Sequence, residues 1–387
     1  MKQKTVLLLS ILFLLFSVSL KAQEKIVMGA GQPELYLALL RNKNVALMVN
    51  PSSLVGKTHL VDTLLSSGVK IKKIFSPEHG FRGTADAGEK IQNDVDAKTG
   101  IPLVSLYGDH KKPTREELKD VDLIIFDLQD VGARFFTYIS SMHYLMQACA
   151  DHGKKMIVLD RPNPNGYYID GPVLDLKYRS FVGMHPIPVV HGLTVGELAK
   201  MINGEKWLDS GKVCDLTVIP MKNYTHKTLY SLPVKPSPNL PNDLAIYFYP
   251  SLCLFEGTVI SVGRGTESPF QLYGAPKKEY GNFEFTPKST EGAKKPLYEN
   301  QVCYGTDLRK IYPDMKFHLS YLIDAYQRSP EKDKFFNNFF NKLAGNATLQ
   351  EQIKKGMKEE EIKKSWQPEL ERYRKMRVKY LLYQDFN

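Results

Sequence analysis

The sequence contains no GxGxxG and no GxxxxGK[ST] run, so dinucleotide and P-loop nucleotide binding lose their main support. Gly263-Arg264-Gly265 comes nearest, with Ser268 where a third glycine would stand. A GxSxG elbow is missing, which argues against a serine hydrolase of the α/β type. The nine histidines form no HExxH pair. His79, His185 and His191 each precede Gly or Pro in separate loops, so no metal centre is indicated. There are four cysteines and no CxxC, which excludes a disulfide-stapled miniprotein and argues against structural zinc. Cys149 falls in the apolar pattern of a helix and is expected as a buried free thiol. Beyond residue 20 no apolar stretch is long enough to cross a bilayer. No basic stripe interleaved with aromatics points to nucleic acid. Neither a cofactor nor a nucleic-acid partner is expected.

What is present is a globular composition, 43% apolar, 24% charged and 11% aromatic in 387 residues, long enough for two packed cores at about 150 residues per domain. Lys2 and Lys4 precede an apolar run over 6–20 that ends in Leu20-Lys21-Ala22. This reads as a secretory signal peptide, residues 1–22, cleaved after Ala22. The mature protein is therefore expected in a bacterial periplasm or outside the cell, with no stable membrane insertion. The formal charge is +10, and much of the excess alternates with glutamates between 351 and 379, as on a solvated helix face.

From residue 44, short β-branched runs alternate with helical patterns, the mark of a parallel sheet with crossover helices. Strands are predicted at 45–49, 71–75, 102–106, 121–126, 156–159 and 216–219. Helices are predicted at 59–67, 114–118, 140–152 and 194–202, the last opened by a Thr194/Glu197 capping box. Five prolines between 232 and 250 predict an irregular crossing between domains. A smaller α+β domain follows, with a strand at 258–262, a glycine-rich stretch at 263–274, and helices at 307–327, 335–343, 349–355, 359–366 and 368–383. The division is set at 23–245 and 246–387.

Ligands of open parallel sheets bind at the carboxyl ends of the strands. Here those ends run into Asn50-Pro51-Ser52, into Glu78 through Arg82, into Asp127 through Arg134, and into Asp160-Arg161. Carboxylates close behind strands, each with an arginine nearby, suit proton transfer on an anionic, oxygen-rich substrate. Pro77 and Gly80 bracket Glu78-His79 in a fixed turn. A second cluster, Glu256-Gly257-Thr258 and Gly263 through Phe270, adds an Arg and a Glu on a glycine-rich loop. Acid/base hydrolysis by carboxylates is the chemistry that survives.

Six separated motifs carry a family resemblance. They are Ser76-Pro77-Glu78-His79-Gly80-Phe81-Arg82-Gly83, the run Asp127 to Tyr138, Asp160-Arg161-Pro162-Asn163-Pro164, His191-Gly192-Leu193-Thr194, Pro236-Ser237-Pro238-Asn239, and Phe255-Glu256-Gly257-Thr258 with Gly263-Arg264-Gly265-Thr266. In this order they resemble the exo-β-N-acetylmuramidases of glycoside hydrolase family 171. The resemblance implies an α/β fold: a Rossmann-like parallel-sheet domain without a dinucleotide, helices on both faces, a smaller C-terminal α+β domain, and an active-site cleft between them. It implies removal of terminal N-acetylmuramic acid from the non-reducing end of peptidoglycan fragments, with Glu78 as the catalytic residue. Glu78 is expected as general acid, and Asp127 or Asp130 as base or nucleophile, unless the substrate's acetamido group attacks. Arg82, Arg134, Arg161 and Arg264 are candidates to clamp the lactyl carboxylate, and His79, Gln129, Asn163 and Glu267 to hold sugar hydroxyls. A periplasmic muropeptide-binding protein and a metal-dependent amidase or esterase are the competing readings.

Overall fold

A computed structural model of the protein describes residues 24–78, 80–81, 94–311 and 314–386; the expected signal peptide lies outside them. Seven strands form the main sheet: β1 (Asn44–Val49), β2 (Lys70–Ser76), β3 (Asp94–Val95), β4 (Pro102–Ser105), β5 (Leu123–Asp127), β6 (Lys155–Leu159) and β7 (Asp215–Ile219), in the order β3-β4-β2-β1-β5-β6-β7. β3 pairs antiparallel to β4 at the edge, and the other six strands run parallel. Taken alone, those six have the 3-2-1-4-5-6 order of the Rossmann fold, with the direction of winding reversing between β1 and β5.

The apolar runs of the central strands follow from burial on both faces. Ala46 and Met48 of β1, Ile124 and Phe126 of β5, and Met156 and Val158 of β6 join one core, which also takes in the helices Tyr138–His152 and Val195–Gly204. Their alternates Val45, Leu47, Val49, Leu123, Ile125, Ile157 and Leu159 join a second core under the helices Pro33–Leu40 and Leu60–Ser66. The period of two along each strand thus feeds two layers of helix. Capping boxes start both the helix Arg115–Leu118 at Thr114 and the helix Val195–Gly204 at Thr194. All four cysteines are buried and free.

The smaller part holds an antiparallel sheet of β8 (Leu272–Ala275), β9 (Phe283–Phe285) and β10 (Cys303–Asp307), with β10 central. Several elements differ from their predicted extents. The proline-rich crossing contains a helix, Asp243–Leu252, because Asn242 caps it through Ala245 N (3.0 Å) and Pro250 falls in its last turn. The division at 245/246 therefore falls inside a helix. Residues 258–262 make only isolated bridges. Residues 307–327 divide into the end of β10 and the helix Ser320–Arg328, and the 335–343 helix shrinks to Phe340–Ala344. Pro368 does not interrupt the helix Glu359–Arg377.

That last helix and the tail beyond it return to the parallel sheet. Tyr373 donates to His191 O (2.7 Å), and the Arg377 guanidinium donates to Gly192 O and pairs with Asp385. Leu382 N donates to Glu197 Oε1, and the Tyr383 hydroxyl donates to Asp160 Oδ2 (2.5 Å).

Candidate active site

Glu78 stands two residues past β2 on the turn that Pro77 and Gly80 enforce. Gly80 has φ 75° and its N–H closes on Pro77 O at 3.0 Å. The side chain is buried to 9% exposure. The Tyr107 hydroxyl bonds Oε1 at 2.7 Å, from the loop after β4, and the Thr137 hydroxyl bonds Oε2 at 2.6 Å, from the turn before the helix Tyr138–His152. Loops that follow three parallel strands, β4, β2 and β5, thus converge on one carboxyl group, where the crossover topology places a ligand.

Glu78, Tyr107 and Thr137 line a cleft of about 220 Å³. Its floor is aromatic, with Phe136 and Phe270 each edge-on to Tyr249 at 6.0 and 5.0 Å. Glu256 and Arg264 line the same cleft, joined by Arg264 Nε to Glu256 Oε1 at 2.5 Å. The Arg264 guanidinium also lies over the Phe270 ring at 5.1 Å. Gly263 and Gly265 flank it at φ 76° and 82°. A Cβ at Gly263 would come within 2.6 Å of Leu272, and one at Gly265 within 2.5 Å of Lys288 O, so the loop needs glycine at both positions.

Burial raises the Cys253 thiol well above its ordinary range, as it does the Tyr249 phenol, so both stay protonated. Burial pulls the Arg264 guanidinium down, but the charge and hydrogen bond of Glu256 outweigh it and hold the guanidinium charged. Among the described residues, Glu78, Glu256 and Arg264 are left for ionic chemistry in the cleft.

The other expected site residues have different places. Asp127, fully buried at the end of β5, holds Arg161 in a two-point ion pair (Nε–Oδ1 2.5 Å, Nη2–Oδ2 2.8 Å). The pair joins the ends of β5 and β6, and Asn50, just past β1, donates its amide to the Tyr138 hydroxyl (3.0 Å). Asp130 accepts from Gly132 N (2.7 Å) and faces His191 Nε2 at 3.7 Å. Gln129 donates to Asp130 O and Pro162 O, and Asn163 donates to Leu193 O while accepting from Asn165 N. Arg134 is fully buried and donates to Pro172 O (2.6 Å), Ile187 O (2.8 Å), Leu343 O (2.9 Å) and Ala344 O (2.9 Å). The last two end the helix Phe340–Ala344, so Arg134 caps a helix of the smaller part. Gly345 follows at φ 79°, and a Cβ there would sit 2.7 Å from Arg134 Nη2.

None of these six side chains lines the cleft; distant partners engage Asp127, Gln129, Arg134, Arg161 and Asn163, while Asp130 is bonded locally by Gly132 N. Glu267 is exposed on a separate open groove with Arg309 and Phe283. His79 and Arg82 lie outside the described residues. Arg264 and Glu78 are the expected residues that share the cleft. Tyr107 and Thr137 were not among the candidates and Glu256 stood in the second cluster without an assigned role, although Tyr107 directly follows a predicted strand and the strand-end rule reaches it. No group of three or more His, Cys, Asp or Glu side chains among the described residues is placed to hold a metal ion.

Comparison with known proteins agrees with this architecture. Residues 45–244 match the family described as "Exo-beta-N-acetylmuramidase NamZ, N-terminal", and residues 247–383 match its C-terminal counterpart. The chain is 40% identical over 371 residues to the peptidoglycan β-N-acetylmuramidase NamZ of Bacillus subtilis (strain 168), covering 90% of this chain and 89% of that protein. A crystal structure of a DUF1343 family protein from Bacteroides fragilis superposes with a TM-score of 0.87 at 49% identity, over 94% of this chain and all of that one. A second DUF1343 structure from the same organism gives 0.80 at 30% identity, over 93% and 99%. With both halves matched and the order of motifs kept, the chain belongs to the NamZ family of exo-β-N-acetylmuramidases and is a glycoside hydrolase.

Proposed function

We propose that the protein removes N-acetylmuramic acid from the non-reducing end of peptidoglycan fragments, including the disaccharide with N-acetylglucosamine, in cell-wall turnover. The observation that carries this reading is a single cleft holding both Glu78, fixed at each oxygen by a hydroxyl, and Arg264. Glu78 is the general acid to the glycosidic oxygen. N-acetylmuramic acid differs from N-acetylglucosamine by its lactyl carboxylate, and Arg264 presents guanidinium nitrogens for a charge-assisted contact with that group. The aromatic floor gives the sugar ring an apolar face to rest on. The chain acts after export, in the periplasm or outside the cell; the pattern of residues 1–22 supports this, and no helix among the described residues is long and apolar enough to cross a membrane.

The test is release of N-acetylmuramic acid from a chromogenic β-N-acetylmuraminide beside the matching N-acetylglucosaminide, for wild type and Glu78→Gln. The expected result is turnover of the muraminide and a loss of at least about 10²-fold in the variant, with binding of the product sugar retained. Binding of muropeptides without turnover in either protein would leave a binding protein. Loss of activity with a chelator would point to a metal enzyme.

A further inference from the structure

Glycoside hydrolysis by a carboxylic acid needs a second group, to activate water or to attack the anomeric carbon. Asp127 and Asp130 do not line the cleft. Among the described residues the cleft is lined by two carboxylates, Glu78 and Glu256. They differ in their partners. Among the described residues, Glu78 is held by two hydroxyls, and Glu256 by a guanidinium and a thiol. Paired carboxyl groups in contrasting environments are how one site separates an acid from a base.

We propose that Glu256 is the catalytic base, acting with Glu78 as acid in a single displacement that inverts the anomeric carbon. The inference rests on the muramidase reading above. Arg264 binds Glu256 Oε1, while among the described residues Oε2 takes its one hydrogen bond from the Cys253 thiol, at 3.6 Å. A protonated thiol at that distance is a weak donor, which leaves Oε2 able to take a hydrogen bond from water. A run of rings links the surroundings of the two carboxyl groups: Phe136 adjoins Thr137, which holds Glu78, Phe136 and Phe270 both pack on Tyr249, and Phe270 lies beneath Arg264. A base that acts through water calls for carboxyl groups roughly 6.5–9.5 Å apart, where a retaining pair stands roughly 5 Å apart.

In the step, Glu78 gives its proton to the glycosidic oxygen as the C1–O bond breaks and its electron pair goes to that oxygen. A water oxygen forms the new bond to C1 from the opposite face and passes one proton to Glu256 Oε2. Glu78 ends ionised and Glu256 protonated, and exchange with solvent resets both.

The experiment reads the first-formed anomer by proton NMR on the wild type, and then compares Glu256→Gln and Glu256→Ala with and without azide. The expected first product is the α-anomer. Each variant should keep its fold by circular dichroism and lose about 10³-fold in kcat on the aryl muraminide, and azide should restore turnover in Glu256→Ala as an α-glycosyl azide. A β-anomer formed first overturns the proposal while leaving the muramidase reading intact. So does a rise in KM alone in Glu256→Gln, which would make Glu256 a positioning residue for Arg264. No hydrolysis of the muraminide by the wild type would remove the parent reading, and the proposal with it.

Discussion

Replacing Arg134 by Met separates a staple of the fold from a ligand of the substrate. The guanidinium makes four bonds to backbone carbonyls from both parts of the chain, with nothing between it and them. Hydrogen bonds to a charged group contribute about 1.5 kcal/mol each at the low end, so the four together hold about 6 kcal/mol. Methionine recovers about 2 kcal/mol by burying a side chain of similar length. The net cost, about 4 kcal/mol, falls in the range for unpairing a buried ionic group. At a urea dependence of about 3 kcal/mol/M for a chain of this size, the unfolding midpoint should fall by about 1 M. Under conditions where both proteins are folded, kcat/KM for the muraminide should stay within about threefold of wild type, since a lactyl ligand would instead lose about 10²-fold or more. A midpoint within about 0.3 M of wild type would refute the assignment of Arg134 as the link between the halves.

Tyr107→Phe and Thr137→Val each remove one hydroxyl from Glu78; each should lower kcat about tenfold with KM little changed and move the alkaline limb of the pH profile, and steady-state kinetics that show a KM effect alone would argue against the positioning role. Burial, against the hydrogen bonds of Tyr383, Gly196 and Thr194, pushes the Asp160 carboxyl up to about 6 from 3.8. A folded pKa above the unfolded one means the folded state holds the proton more tightly, so this contribution is full below about pH 4 and is lost as pH rises through about 6. Measured by denaturation, the stability of wild type relative to Asp160→Asn should fall by about 3 kcal/mol across that window, and a flat difference would count against it.

The sheet was legible because β1, β5 and β6 are apolar on both faces, a mark that shows within short windows of sequence. Glu78 was legible for the same local reason, a carboxylate between Pro77 and Gly80 at a strand end. Asp127, Arg161 and Arg134 carried the same outward marks as site residues, a charge just past a strand. What separates them from Arg264 is tertiary. Arg161 meets an aspartate 34 positions away, and Arg134 meets carbonyls 209 and 210 positions away. No pattern in a window reports such partners. The helix Asp243–Leu252 was hidden by its prolines, since the cap at Asn242 and the place of Pro250 in the last turn decide its existence more than composition does.

The return of the tail to the sheet sets an order on folding. Tyr383 and Asp160 close a loop of 223 residues, an entropic cost of about 5 kcal/mol by the logarithmic rule, and the loop contains the whole smaller part with its glycine-rich Arg264 segment. A chain still missing its last few residues can build the parallel strands but not bring their carboxyl edge to its final hydrogen bonding. Synthesis from the N-terminus therefore yields the parallel strands before the segment that ties onto their carboxyl edge. The contacts of Tyr373, Arg377 and Tyr383 with that edge should form late in folding, after the strands they rest on.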